Sequence, residues 1–393
     1  MSIEQIIAEE KVKFEKANSY ANVMILGHTG AGKSSLINHV FGSKVANVSN
    51  HKPQTRGFKV FLGKDFNKTI NIIDSEGYEL ADNANSFVNR VKNFQNELES
   101  GKINNCEGSI HVIWYCISAS KARVEDIDLN IVKLLKEKYK NIFVVMTQCD
   151  EDDVNLSIQK EYEKILNTKI YAVSKDLADD DTDINVLLND SANGITDEDI
   201  QKAFVSSQER NIALKEQHAK TIILRYTSFC VAAGANPIPL VSDTVVITPT
   251  QVVMLVHIGR IYGVDTSKTA LKSLAAETLA SNLGKALAGN LLKFTGVGAI
   301  IGSAITASVA GVITYGMGFA YSEYCKKKYQ DILAGKEVDD DIVENICQTI
   351  KYYIDTISWA DVKKELQKNK ENKKDSKEDK QKEEDKQEKE DKE

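Results

Sequence analysis

The chain has no paired cysteines, no clustered histidines, no basic block in its body and no apolar leader at its N-terminus. Its six cysteines stand apart, at 106, 116, 149, 230, 325 and 347. None forms a CxxC pair and several lie inside apolar runs. That excludes a disulfide framework and a cysteine metal site, and reads as reduced packing thiols in a cytosolic compartment. The six histidines do not cluster either. A formal charge of −7 without a basic block speaks against a nucleic-acid partner. The opening Met1-Ser2-Ile3-Glu4-Gln5 carries acid and no hydrophobic core, so it is not a secretion signal. Proline is scarce: of four in the chain, three fall at Pro237, Pro239 and Pro249. With 393 residues, 42% of them hydrophobic, two or more domains and a real core are expected.

What is present is most concentrated at Gly27-His28-Thr29-Gly30-Ala31-Gly32-Lys33-Ser34. This is a complete GxxxxGK[ST] phosphate-binding loop. The run Asn22-Val23-Met24-Ile25-Leu26 before it reads as a buried strand and the run 35–40 after it as a helix, the context the motif requires. Glycines let the backbone curl so that successive N–H groups and a helix N-terminus face negative charge. Lys33 is placed to reach the terminal phosphates and Ser34 to ligate Mg²⁺. His28 occupies a variable position and reads as a loop side chain.

Four more fragments follow in order at strand ends. The strand near 69–73 ends in Asp74-Ser75-Glu76-Gly77. Asp74 there can hold Mg²⁺ through water, and the Gly77 N–H can meet a terminal phosphate. Pro53-Gln54-Thr55-Arg56-Gly57 lies between loop and strand, where Thr55 can complete a Mg²⁺ shell. The strand 141–146 leads into Thr147-Gln148-Cys149-Asp150, and the last strand into Ser174-Lys175. Each fragment alone is weak, but their order and spacing make a strong signal.

On these residues the first half of the chain resembles the Era-like branch of the translation-factor-related GTPases. The resemblance implies GTP and GDP as ligands with Mg²⁺. Phosphates would lie on Gly27 to Ser35, with Thr55 in the first switch and Asp74–Gly77 opening the second. It implies that Asp150 reads guanine, with Thr147, Gln148 and Ser174 beside the base. The chain departs from the pattern where the family has Asn-Lys-x-Asp: here Thr147 remains able to donate toward the base, but Gln148 lacks the charge and full stem of lysine. It departs again at Tyr78, where Ras-like proteins place a water-orienting glutamine, so slow intrinsic hydrolysis is expected unless a partner or second protomer helps. Arg56 is the nearest candidate for a charge-neutralising arginine.

The expected architecture is α/β, a P-loop GTPase domain with a mainly parallel sheet, followed by an all-α apolar helical domain and a charged tail. Boundaries read as 1–20 for an N-terminal helix, 21–205 for the GTPase domain, 206–335 for the helical domain, 336–362 for a C-terminal helix and 363–393 for the tail. Strands are expected at 22–26, 58–63, 69–74, 110–117, 141–147 and 169–173, with helices near 33–41, 84–100, 124–139 and 155–167. The acidic stretch 176–190 reads as an exposed insertion. Thr196-Asp197-Glu198-Asp199 is a helix start, and that helix should run through Phe204, Ile212 and Leu214 toward Thr221.

In the second half, residues 226–258 carry one formal charge, Asp243, and residues 294–322 carry none. The latter run is long enough to cross a bilayer, which takes about 20 apolar residues. Its small residues four apart, Gly298 with Gly302 and Ala307 with Gly311, suit close helix packing. Two readings stand: membrane insertion or association, and a tightly packed soluble bundle. This region resembles the YcjF-type domain of unknown function that follows GTPase domains in bacteria, through 236–243, 251–263 and 295–321. Ile342, Ile346, Ile350, Ile354 and Ile357 form a helical stripe. After Leu366 no apolar residue remains.

Together these readings point to a Mg²⁺-dependent GTPase switch. The partners expected are GTP, a second copy of the chain and a lipid surface on the cytoplasmic face, without nucleic acid. A dynamin-like scaffold that self-assembles on GTP binding, and a ribosome-assembly GTPase, are the alternatives.

Overall fold

The computed structural model describes residues 5, 8–9, 20–42, 54–55, 57–66, 68–75, 83–103, 105–121, 125–149, 153–174, 182–209, 211–234, 249–264, 303–336, 349, 352–353 and 356–371. The chain divides into two compact units, one of residues Lys13–Lys215 and one of Met1–Val12 with Glu216–Glu393.

The first unit is built on one sheet of seven strands. In chain order its elements are β1 (Ala21–Gly27), α1 (Lys33–Phe41), β2 (Gln54–Thr55), β3 (Phe58–Phe61), β4 (Ile70–Ser75), α2 (Ala84–Glu99), β5 (Val112–Ser118), α3 (Asp126–Lys136), β6 (Ile142–Cys149), α4 (Asp153–Leu166), β7 (Ile170–Ser174), α5 (Thr182–Gly194) and α6 (Glu198–Ser207). The strand order is β2-β3-β4-β1-β5-β6-β7. β1, β4, β5, β6 and β7 run parallel, and β2 and β3 form an antiparallel edge. β1 is buried along its whole length, which is why it reads as an apolar run over Val23–Leu26, with Asn22 its one polar side chain.

Helices cover both faces. Phe87, Val91 and Leu98 of α2, Leu129 and Val132 of α3, and Ile158 and Tyr162 of α4 share one core with Tyr115 and Val144. Toward the other face, Phe41 of α1 stacks on Trp114 at 5.7 Å and Phe204 of α6 meets Trp114 edge-on at 6.4 Å. The Trp114 indole N–H donates to Ser191 of α5 at 2.9 Å, so burying this amphipathic ring leaves no donor unmet. A polar knot holds the start of β1. Asn22 donates its side-chain amide to the Glu107 and Ser109 carbonyls, accepts from Asn71, and its backbone N–H donates to His111 Nδ1 at 2.8 Å.

Several expectations are corrected. The strand expected over 58–63 ends at Phe61, because Gly63 turns the chain where a side chain would strike the Ile70 carbonyl at 2.2 Å. The insertion expected over 176–190 is, from Thr182 onward, helix α5; Ile184, Leu187, Leu188 and Ala192 form a buried stripe that the neighbouring acids disguise. Residues 175–181 lie outside the described residues. The Asp197 cap opens α6 as expected, its carboxylate accepting from the Asp199 and Ile200 N–H groups. That helix does not reach Thr221: it stops at Ser207, Gln208 is extended, and α7 (Ile212–Gly234) starts anew with the Asn211 side chain accepting from the Leu214 N–H at 2.8 Å. The fully buried Lys215 then donates to the Val205 and Ser206 carbonyls at 3.0 and 2.8 Å, satisfying the open end of α6.

The second unit contains most of α7, then α8 (Pro249–Ile261), α9 (Ser303–Leu333) and a helix over 359–371. Of the apolar run 294–322, residues 303–322 form the start of α9, and 294–302 fall outside the described residues. The small residues are used for packing: a Cβ on Gly311 would meet Val231 and Trp359, and one on Gly318 would meet Ile223. Gln251 donates to Thr314 at 2.9 Å, and the hydroxyls of Tyr262 and Ser322 lie 3.2 Å apart, so polar pairs fix the register of α8 against α9. Among the described residues no helix is long and apolar enough to cross a membrane. α9 also continues eleven residues past Ser322, so Lys326-Lys327-Lys328 belong to it, with Lys326 paired to Glu216. The stripe positions Ile342, Ile346, Ile350 and Ile354 lie outside the described residues. The helix over 359–371 is capped at Ser358, whose hydroxyl bonds Asp361, and it carries regular structure into the charged tail.

Candidate nucleotide-binding site

The sheet reverses its strand order at β1, which has β4 on one side and β5 on the other. Ligands of open α/β sheets bind at the carboxyl ends of strands beside such a switch point. The register brings the right residues level there: Ile25 pairs with Asp74, Gly27 with Cys116, and Ser118 with Thr147.

The loop leaves β1 at Gly27, whose φ of 138° and close approach to the Cys116 carbonyl (2.2 Å for a hypothetical Cβ) admit glycine only. Gly30 and Gly32 are left-handed, and Gly32 is the N-cap of α1. No side chain caps that helix and no acid occupies its first turn, so its first N–H groups are left for an anion. Thr29, Gly30, Ser34 and Ser35 are exposed, His28 half-buried and Ala31 buried. Lys33 is buried and folds back, donating to the Gly27 and His28 carbonyls at 3.0 Å each. Burial holds its ammonium below the usual lysine range, with Asp74 and Cys116 acting in the opposite sense. The Cys116 thiol is pushed up to about 12 by burial, so it is an inert packing thiol.

The strand-end residues meet the loop from the other side. Thr147 is buried, and its hydroxyl lies 2.9 Å from the Ala31 carbonyl and 3.2 Å from that of Ile117. The hydroxyl thus reaches the underside of the loop at Ala31. Gln148 lies across the loop, its amide N–H donating to the Gly30 carbonyl at 3.3 Å. Ser174 ends β7 opposite Cys149. Thr55 pairs with Phe58 in the edge hairpin. Arg56, Gly77, Tyr78 and Asp150 lie outside the described residues.

A cavity of about 150 Å³ opens beside the loop, lined by His28 to Ala31, Cys116 to Ser118, Ser120 and Asp128. Ser118, Ser120 and Asp128 were missed by sequence reasoning. Asp128 accepts from the buried Tyr115 hydroxyl at 2.7 Å. The signal available for Ser118 was its place at the end of a buried strand.

No group of three or more His, Cys, Asp or Glu side chains able to hold a metal exists among the described residues. The oxygens on offer, the Ser34 hydroxyl and the Asp74 carboxylate, suit a hard cation that keeps waters and takes its remaining ligands from phosphate, which is the habit of Mg²⁺.

A glycine loop feeding an uncapped helix at the switch point of a parallel sheet defines a P-loop nucleotide-binding protein. Residues 22–148 match the family model described as "50S ribosome-binding GTPase", and residues 199–351 match that of a domain of unknown function (DUF697). The chain thus joins a P-loop GTPase domain, over residues 22–148, to a C-terminal domain of unknown function, over residues 199–351. Over 62 residues it is 42% identical to the probable GTP-binding protein EngB of Aquifex aeolicus, covering 16% of this chain and 32% of that one. Over 154 residues it is 27% identical to GTPase Era of Neisseria meningitidis serogroup A, covering 39% and 45%. The chain therefore spans less than half the length of these curated relatives. A solved structure titled as an oligomerised bacterial dynamin pair aligns over 92% of this chain and 86% of its own, at 9% identity and a TM-score of 0.31. A likeness that slight carries no argument.

Proposed function

We propose that the chain is a Mg²⁺-dependent molecular switch that binds GTP and hydrolyses it to GDP and phosphate. The observation that carries this reading is the loop itself. It opens at the end of the central strand onto an uncapped helix, with Lys33 buried beneath it in the electrostatic reach of Asp74. In this reading the N–H groups of Gly30 to Ser35 hold the phosphates, and Lys33 exchanges its two carbonyl partners for phosphate oxygens. Ser34, Asp74 through water and Thr55 would hold Mg²⁺, which neutralises charge on the terminal phosphates when bound. Asp150 selects guanine, because a carboxylate accepts from both the ring N–H and the exocyclic amine. Gly77 reports the terminal phosphate, and Arg56 is the candidate for charge neutralisation during cleavage. Tyr78 in place of a glutamine makes the monomer slow, and a second protomer or partner faster. A formal charge of −7 suits a ribosomal partner poorly. The helical domain is the effector or membrane-facing part, on the cytoplasmic side where GTP is found.

Single-turnover hydrolysis of GTP by the whole chain tests the reading. Slow phosphate release that Lys33→Ala abolishes is the expected result; release unchanged by Lys33→Ala rules the loop out as the active site. Membrane fractionation with carbonate and high-salt washes tests the lipid partner. Sedimentation with GDP and with a nonhydrolysable GTP analogue tests self-assembly.

A further inference from the structure

The end of β6 is irregular. Its pairing with β7 shifts register between Met146 and Cys149, and Gln148 adopts a left-handed φ of 59°. Few residues other than glycine take that conformation, and bulges beside functional sites re-aim side chains. Here the side chain reaches back over the phosphate loop. Its Nε2 donates to the Gly30 carbonyl at 3.3 Å, and its Oε1 accepts from the Ser118 hydroxyl at 2.6 Å. Ser118 in turn lies 2.7 Å from the Ser120 hydroxyl. Because Ser118 gives its one proton to Gln148, Ser120 must be the donor of that second bond. The chain of bonds therefore runs Ser120 to Ser118 to Gln148 to Gly30, from the end of β5 across β6 to the loop.

An amide has one donating and one accepting end. The Gly30 carbonyl only accepts, so the amide must face it with nitrogen, and something must hold the oxygen end away. Ser118 does so. A lysine at 148 would need no such partner, since an ammonium presents three equivalent donors. We propose that Ser118 is a positioning residue: by orienting the Gln148 amide it holds the phosphate loop in its binding shape and lengthens the lifetime of bound guanine nucleotide. The inference rests on the guanine-nucleotide reading above.

The test measures release of fluorescently labelled GDP from the whole chain by stopped flow. Ser118→Ala should speed release about three- to tenfold, the worth of one hydrogen bond. Ser118→Thr, which keeps the hydroxyl, should restore the native rate. Gln148→Met should release as fast as Ser118→Ala, and combining the two should add nothing. In a Gln148→Lys background, Ser118→Ala should have no effect. Equal acceleration by Ser118→Ala in both backgrounds, or none in the native background, overturns the proposal while leaving the nucleotide site standing. Failure of the native chain to bind the labelled GDP overturns the site reading itself.

Discussion

The Thr147 hydroxyl lies 2.9 Å from the Ala31 carbonyl, two side-by-side positions in space that are 116 residues apart in sequence. The contact follows from the parallel pairing of β5 with β6, which sets Thr147 level with Ser118. It makes the floor of the phosphate loop and the end of β6 one piece.

Thr147→Val keeps the shape and removes the donor. It should lower stability by about 1–2 kcal/mol, the cost of buried carbonyls left without a partner. It should also reduce the stabilisation that GDP confers. Thermal unfolding with and without GDP measures both, and a melting point unchanged in either condition contradicts the bracing role.

Lys215 joins two helices by satisfying carbonyls at the end of α6 from the first turn of α7. Burial holds its ammonium well below the usual lysine range; Lys68 adds to that, and Glu209, paired to Lys68 at 3.0 Å, opposes it. Lys215→Ala leaves a cavity and unpaired carbonyls, and should destabilise the chain by about 2–4 kcal/mol in urea titration. A loss under about 0.5 kcal/mol would mean that α6 closes without it.

Burial lowers His111 and His218 from 6.5 to about 4, against the opposing pull of Asp197 on His111. Above pH 6.5 both are neutral, folded or unfolded, and stability is whole. Between pH 6.5 and about 4 the unfolded chain binds protons that the native state refuses, so stability falls as pH falls. The urea midpoint should drop across that window, and His111→Asn should drop less steeply. A midpoint that rises toward pH 4 contradicts the sign.

Much of this was legible because it is local. The run 22–26, the glycines and Lys33-Ser34 encode strand, loop and helix within twenty residues, and β1 and α1 fall where expected. What was hidden depends on partners distant in sequence. β2 is two residues long and exists through its pairing with β3. α5 hides four buried apolar residues among acids. The break between α6 and α7 is secured by Lys215, whose role no periodicity reveals. Ser118, Gln148 and Thr147 acquire their roles from sheet register and a bulge, which a single sequence does not display.

Asp150→Asn exchanges an acceptor for a donor where guanine would be read. It should weaken GDP binding at least tenfold and favour xanthosine diphosphate, measured by competition calorimetry. Unchanged GDP affinity would remove Asp150 from base selection.

The most direct test of the account is titration calorimetry of the native chain with GTP, GDP and ATP in the presence of Mg²⁺. Guanine nucleotides should bind at one site per chain and ATP far more weakly. Equal affinity for GTP and ATP, or no binding of either, would contradict a guanine-nucleotide switch.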